Sequence, residues 1–138
     1  MGHDYIDLGT SHLRLNDSDI WTLRHFFCDT LTRSTPVQLG TDARTMEDLR
    51  RFIASWEWLG PGIVNGCDLN IFATTPERFS LIQRMFSATR DRLREFGESI
   101  PLPYLDEHIN SSFAYYLDAQ PVARFTDILD SLLDLPAE

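Results

Sequence analysis

Alternation of apolar and polar residues predicts two short strands at the start of the chain. Residues 5–8 (YIDL) and 12–15 (HLRL) each alternate, and the intervening GTS sequence suits a tight turn. The apolar spacing then lengthens to that of a helix over residues 17–32, with one of the polar residues 16–18 as its N-cap. The apolar stripe of this helix consists of Ile20, Leu23, Phe27 and Leu31. The chain is therefore expected to begin with a hairpin followed by a helix.

A second helix is predicted over residues 46–59. Thr45 and Asp48 stand three residues apart as in a capping box, although Asp replaces the usual Glu or Gln. The GPG sequence at residues 60–62 would end the helix, because glycine favours the C-terminal cap and proline cannot continue the helix. The apolar face of this helix consists of Met46, Leu49, Phe52, Ile53, Trp56 and Leu59.

Two tryptophans in this helix cannot share one face. They lie in the sequence RRFIASWEWLG (residues 50–60), two positions apart. At about 100° per residue, Trp56 falls on the apolar face and Trp58 falls almost opposite its centre. Trp56 is therefore predicted to be a core residue. Two interpretations of Trp58 remain open: it covers Pro61 at an unwound helix end, or it is an exposed aromatic anchor for a protein partner.

The middle of the chain predicts a strand followed by the clearest helix. Residues 67–73 place Cys67, Leu69, Ile71 and Ala73 on one side, which is the period of a strand. The helix is expected over residues 76–96, with Thr75 as its cap, Pro76 at its first position and Gly97 just past its end. Its apolar stripe consists of Phe79, Ile82, Phe86, Leu93 and Phe96.

The last third of the chain completes the expected fold. Two prolines in residues 98–110 predict a loop or a ragged edge segment, residues 111–117 alternate as a strand, and a final helix follows Pro121. A strand, a helix and a second strand form a natural βαβ unit, so the strands at 67–73 and 111–117 are expected to be parallel in one sheet. The predicted fold class is α+β, or open α/β, with a small mixed sheet and about four amphipathic helices.

Length and composition indicate one folded domain over residues 1–138. Hydrophobic residues make up 43% of the chain and aromatic residues 12%, as in a globular protein. The sequence contains neither a run long enough for a membrane span nor the basic-then-apolar order of a signal peptide, so the expected location is the cytoplasm. Cys28 and Cys67 lie in apolar surroundings and are interpreted as reduced, packed thiols.

The net charge of −9 argues against nucleic acid or an anionic membrane as the partner, and a basic partner, or simply good solubility, fits it better. Residues 99–138 carry seven of the 21 acidic residues and one of the 12 arginines. In the last helix, Asp127, Asp130 and Asp134 stand opposite the apolar stripe. This face is interpreted either as ordinary solvated surface or as a docking surface for a basic protein. The apolar stripe consists of Phe125, Ile128, Leu129, Leu132 and Leu135.

Candidate chemical sites are weakly indicated. The candidate zinc set matches no compact zinc spacing; it consists of His25, Cys28, Cys67 and His108. Cys67 with His108 would suit a nucleophile and base, and His108 near Tyr115 would suit acid–base chemistry, but neither pair has a local signature. The chain also lacks a phosphate-binding glycine loop, so no cofactor is predicted. Arg90 and Arg94 are expected to form ion pairs within the chain, some with the acidic last helix.

These observations lead to the hypothesis of a non-catalytic, acidic protein-binding module. An inhibitor of the immunity type, which covers a toxin or another basic enzyme, suits the size and charge. A secretion chaperone or adaptor suits them nearly as well, and a small enzyme or ligand-binding domain with a site built from scattered residues remains an alternative. The oligomeric state is left open. The predicted partner-binding residues are Glu57, Trp58, Tyr116, Asp127, Asp130 and Asp134.

Overall fold

A computed structural model describes the protein over residues 3–9, 11–56, 67–110 and 116–133. The strands are β1 (His3–Leu8), β2 (Ser11–Asn16), β3 (Cys67–Asp68), β4 (Ser99–Ile100) and β5 (Gln120–Pro121). The helices are α1 (Asp17–Arg33), α2 (Ala43–Ala54), α3 (Pro76–Arg94), α4 (Leu102–His108) and α5 (Val122–Leu133). Over these residues the fold is a small α+β arrangement, which confirms the predicted class.

The predicted N-terminal hairpin is confirmed. β1 and β2 pair antiparallel, with Ile6 opposite Leu13, and β3 joins the other edge of β1 in parallel, with Cys67 beside Ile6. Gly9 adopts a left-handed φ of 62°, which glycine reaches without steric strain. Its amide N donates to Asn70 Oδ1 at 2.7 Å, which ties the hairpin to the segment after β3.

The described residues give β3 a parallel neighbour other than the one predicted for the βαβ unit. The parallel neighbour of β3 is β1, whereas β5 pairs antiparallel with β4 in a separate two-stranded sheet. The proposed partner strand at 111–117 lies mostly outside the described residues. The two positions of it that are described, Tyr116 and Leu117, do not belong to a strand, and Leu117 is exposed.

The first and third helices match their predictions closely. Asn16 caps α1 by accepting a hydrogen bond from the Asp19 amide at 2.8 Å. Thr75 caps α3 through the Arg78 amide at 3.2 Å, with Pro76 in the first turn. Gly97 has a left-handed φ of 84°, just past the end of α3. The capping residues in the sequence were therefore sufficient to place both helix starts.

The second helix starts three residues earlier than predicted. Asp42 is the cap, since its carboxylate accepts from the Thr45 amide at 2.7 Å and from the Thr45 hydroxyl at 2.9 Å. The predicted capping box at Thr45 is therefore wrong, because Asp42 already satisfies the amide at the open end of the helix. The α-helix ends at Ala54 rather than at residue 59, and the GPG sequence lies outside the described residues. Trp56 is buried, as predicted.

The strand predicted at 67–73 is only two residues long. After β3 the chain turns into a short 3₁₀ helix, Leu69–Ile71, because the Asp68 carboxylate accepts from the Asn70 amide at 3.0 Å. This turn breaks the alternation that the sequence suggested. Ile71, one of the four predicted inward positions, is 67% exposed.

The proline-punctuated segment at 98–110 forms regular structure instead of the predicted loop. β4 comes first, and Pro101 then caps the seven-residue helix α4, with Pro103 in its first turn. Proline is tolerated at these positions because the first amides of a helix have no partner within the helix. The prolines therefore mark the start of a helix and not an irregular segment.

A single cluster of apolar side chains fills the space between the sheet and the helices. Its largest fully buried members include Phe27 of α1, Phe86 of α3 and Phe125 of α5. Among the described residues, none of the helices is both long enough and apolar enough to cross a membrane.

Candidate functional site

The predicted acidic face of α5 is only partly free. Asp127 is exposed and Asp130 is half-buried. Arg90 Nη1 of α3 donates to Asp130 Oδ1 at 2.8 Å, which confirms the predicted ion pairing between this arginine and the last helix. Glu57, Trp58 and Asp134 lie outside the described residues. On the opposite side of α5, the buried residues are Val122, Phe125, Thr126, Leu129 and Leu132, while Ile128 is half-buried.

Tyr116 was predicted to contact a partner, but it lies inside the protein. Its exposed fraction is 7%. Its hydroxyl donates to Asp19 Oδ1 at 2.8 Å and lies 2.9 Å from Thr22 Oγ1. Burial raises the pKa of Tyr116 well above its usual value. The side chain therefore belongs to a buried polar network, and its assignment to the surface is corrected.

Asp19 is the centre of this network. Its carboxylate accepts two hydrogen bonds from Arg124, at 3.1 Å from Nε and 3.0 Å from Nη2. The side chain of Asp19 is 7% exposed and that of Arg124 is 40% exposed. The network ties α1 to α5, and it engages the only arginine of residues 99–138 with a buried acid.

The Asn110 side chain forms two hydrogen bonds with the backbone of Tyr116. Its Oδ1 accepts from the Tyr116 amide at 2.7 Å, and its Nδ2 donates to the Tyr116 carbonyl at 3.0 Å. The same Nδ2 lies 2.7 Å from Asp106 Oδ1. Asp106, at the end of α4, is thereby held close to the segment that leads to Asp118.

Exposed carboxylates lie on α4, on α5 and on the segment before β5. We call these four residues the acidic surface: Asp106, Glu107, Asp118 and Asp127. Within the described part of the chain none of them pairs with an arginine. Glu107 lies 3.8 Å from His108 Nε2, which carries a charge only when protonated. Among the described residues, no arginine therefore compensates the negative charge of this surface.

A second feature is a cleft of about 250 Å³ between α1, the end of α3 and α4, open on one side. We call it the aromatic cleft; it is lined by Phe26, Asp29, Arg33, Arg92, Glu95, Phe96 and Tyr104. The Phe26 and Tyr104 rings are parallel with centroids 5.9 Å apart. Phe96 meets Tyr104 edge to face at 4.9 Å. Such geometry is favourable for aromatic pairs and fixes the position of each ring.

His25 and His108 both contact Tyr104, but neither is among the residues that line the cleft. His25 Nε2 lies 2.8 Å from the Tyr104 hydroxyl, and the His108 ring lies 5.4 Å from His25 and 4.3 Å from Tyr104 between centroids. Burial, and then the charge of His108, lower the pKa of His25 to about 4. Burial also raises the pKa of Tyr104 above its usual value. Both partners of the hydrogen bond are therefore neutral at pH 7.

Protonation of His25 is expected to destabilise the fold in acid. The pKa of His25 is about 4 in the folded chain and 6.5 ordinarily, so the unfolded chain binds the proton more readily. The resulting stability loss begins as the pH falls below 6.5 and is complete below pH 4. We expect a loss of about 2 kcal/mol, after a reduction for solvent screening of this partly exposed ring. Urea unfolding monitored across this pH range measures it.

The matched variant is His25→Gln, which keeps a hydrogen-bonding group near Tyr104 but does not titrate. Acid-sensitive groups other than His108, which is coupled to His25, act equally in both proteins. The difference between the two stability profiles therefore reports His25 together with its coupling to His108. Stability profiles that stay parallel from neutral pH down to about pH 4 would show that His25 titrates normally in the folded chain.

The structure shows the neighbours of His108 and Cys67, two residues considered for chemistry from the sequence. His108 neighbours His25 and Tyr104, whereas Cys67 belongs to β3 and pairs with Ile6. Tyr115 lies outside the described residues. Cys28 and Cys67 are not joined in a disulfide, and among the described residues no three histidine, cysteine or carboxylate side chains converge to hold a metal ion. The spacing of Tyr104 and His108, one helical turn apart, could have indicated their contact if α4 had been recognised.

The acidic surface and the aromatic cleft are thus two candidate binding features in the described part of the chain. The acidic surface offers exposed carboxylates, and the aromatic cleft offers aromatic rings together with charged side chains. No protein-family model, curated protein or solved structure matches this chain.

Proposed function

We propose that the protein is a non-catalytic, cytoplasmic binding module that occludes a basic protein partner, as an immunity-type inhibitor does with a toxin enzyme. The observation that carries this proposal is the acidic surface. Its four carboxylates are exposed, and within the described residues no arginine pairs with them. Two arginines of α3 and α5 are occupied by other acids, since Arg124 binds the buried Asp19 and Arg90 binds Asp130.

The physical advantage of such a surface is mainly kinetic and selective. Uncompensated charge of one sign attracts a partner of opposite sign over about 10 Å at moderate ionic strength, and it disfavours acidic competitors. Long-range attraction raises the association rate more than it raises the affinity. An inhibitor that must reach a toxin before the toxin reaches its target benefits directly from a fast association rate.

The residues of this docking surface differ from the partner-binding residues that were predicted from the sequence. Asp127 is retained, and Asp106, Glu107 and Asp118 are added because the fold exposes them. Tyr116 is removed because it is buried. Glu57, Trp58 and Asp134 stay predicted partner-binding residues.

Neutralising three carboxylates of the acidic surface is expected to weaken partner binding by about tenfold. The variant is Glu107→Gln, Asp118→Asn and Asp127→Asn. Each exposed charge pair contributes about 0.5 kcal/mol, so three together correspond to about a tenfold change in Kd. The measurement is affinity capture from host lysate, followed by titration of the captured protein at low and high salt.

The control removes the same charge elsewhere, through Asp48→Asn, Glu77→Gln and Asp91→Asn, all three at exposed positions. This control has the same net charge as the test variant. It is expected to bind like the unmodified protein, with the same dependence on salt. Equal weakening by both variants, or an affinity that does not depend on ionic strength, would argue against docking through the acidic surface.

A further inference from the structure

We propose that the aromatic cleft binds a small aromatic zwitterion, an aromatic amino acid, with the ring on its aromatic floor and the two charged groups on the α3 wall. This inference goes beyond the proposed protein-binding function and does not depend on it. The occupant follows from three properties of the cleft: its size, its rings and the pairing of its charges.

Size restricts the ligand to a small molecule. The cleft has a volume of about 250 Å³. Sites for drug-sized ligands usually enclose about 300–1,000 Å³. A small aromatic molecule with a short polar end fits the smaller volume, whereas a drug-sized ligand exceeds it.

The floor offers ring surface without competing hydrogen-bonding groups. Phe26 is almost fully buried beneath it, while Phe96 and Tyr104 are half-buried and expose part of their rings to the cleft. The Tyr104 hydroxyl is already bonded to His25, 2.8 Å away, so its ring and not its hydroxyl is available to a ligand. This contact also restrains the ring, which lowers the entropy cost of binding.

The charges on the cleft walls divide into one satisfied pair and one unsatisfied pair. On α1, Arg33 Nε lies 3.1 Å from Asp29 Oδ1, one helical turn away, so these two charges neutralise each other. Arg92 and Glu95 stand at i and i+3 at the end of α3, and in the described part of the chain neither forms an ion pair. The cleft therefore presents one unpaired cation and one unpaired anion close together.

A zwitterion matches this unpaired set. Residues at i and i+3 on a helix are neighbours, with Cβ atoms about 5–6 Å apart, so their long side chains can together reach the carboxylate and the ammonium group on one α-carbon. Arg92 would bind the carboxylate with its planar fork of donors, and Glu95 would accept from the ammonium group. A plain aromatic carboxylate would satisfy Arg92 but would be repelled by Glu95. An aromatic amine would satisfy Glu95 but would be repelled by Arg92.

The test is titration of the full-length protein with three related probes by isothermal calorimetry or by NMR of the amide signals. L-Phenylalanine is expected to bind with a Kd on the order of 0.1–1 mM, as suits a ligand of this size. 3-Phenylpropionate lacks the ammonium group and 2-phenylethylamine lacks the carboxylate. Each is expected to bind at least about fivefold more weakly than L-phenylalanine.

Two variants assign the charged groups. Arg92→Gln is expected to weaken the binding of L-phenylalanine about tenfold. Glu95→Gln is expected to weaken the binding of L-phenylalanine. It is expected to strengthen the binding of 3-phenylpropionate, because it removes the repulsion between Glu95 and the carboxylate of this probe. The control variants are Asp91→Asn and Arg94→Gln, which lie on the same turn of α3 but do not line the cleft. Both control variants are expected to bind all three probes as the unmodified protein does.

Glu95→Gln is expected to change the affinities for L-phenylalanine and 3-phenylpropionate in opposite directions. General weakening of the fold would lower both affinities, so this result identifies a specific site. The proposal is overturned if L-phenylalanine fails to bind at about ten times the expected Kd, or if 3-phenylpropionate binds as tightly as L-phenylalanine. It is also overturned if Arg92→Gln leaves the L-phenylalanine affinity unchanged. None of these results bears on the acidic surface, which is tested with a protein partner.

Discussion

Replacing Asp19 with alanine is expected to lower the free energy of unfolding by about 3 kcal/mol. The change removes two charged hydrogen bonds from Arg124 and the acceptor of the buried Tyr116 hydroxyl. The side chain of Arg124 is 40% exposed and can turn towards water, which keeps the cost below that of a fully buried, unpaired charge. Urea unfolding at neutral pH measures the loss.

Two further variants test whether the network acts as a unit. Asp127→Ala removes an exposed acid from α5 and is expected to change the stability by less than about 0.5 kcal/mol. Tyr116→Phe removes only the hydroxyl and is expected to cost about 1 kcal/mol. In the double variant with Asp19→Ala, the cost of Tyr116→Phe should shrink because its acceptor is already gone. An equal loss from Asp19→Ala and Asp127→Ala would show that the buried network adds nothing to stability.

Replacing Phe27 with alanine is expected to be still more damaging, at about 4 kcal/mol. Phe27 is fully buried on α1, with its ring centroid 5.3 Å from that of Phe86 and 6.3 Å from that of Trp56. Loss of the ring leaves a cavity where α1, α2 and α3 meet, and close-packed helices collapse into such a space only in part. Urea unfolding followed by tryptophan fluorescence would measure the change, since Trp56 lines the same site.

Phe27→Leu is the matched variant, because it retains most of the apolar volume. It is expected to cost about 1–1.5 kcal/mol, with an unchanged dependence on urea concentration. If alanine and leucine at this position reduced stability equally, the cost would come from loss of the ring contacts rather than from the cavity.

The acidic surface and the aromatic cleft both involve α4, the helix that the sequence did not predict. Asp106 and Glu107 contribute to the acidic surface, and Tyr104 contributes to the cleft. The mistake came from treating Pro101 and Pro103 as helix-breaking residues. In the first turn of a helix proline costs little, because the amide that it lacks would have no partner there. Recognition of this position would have placed Tyr104 and His108 on one face.

Local sequence determined the features that depend on neighbouring residues. The alternation of residues 5–8 and 12–15 was enough to predict the hairpin, and Thr75 with Pro76 was enough to predict the start of α3. The helical period also identified Trp56 as a core residue. These successes share one cause: capping, turn formation and amphipathic periodicity act over a few residues and leave a local pattern in the sequence.

Tertiary structure decided which residues are available for function. Asp19 pairs with Arg124, which lies 105 positions further along the chain, and no local pattern indicates that contact. The same network buries Tyr116, so an aromatic residue that could have served an interface became part of the core. The aromatic cleft likewise brings together α1, α3 and α4. The hydrophobic pattern predicts which face of a helix is buried, but the packing of the helices decides which charges remain unpaired, because pairing depends on contacts between residues distant in sequence.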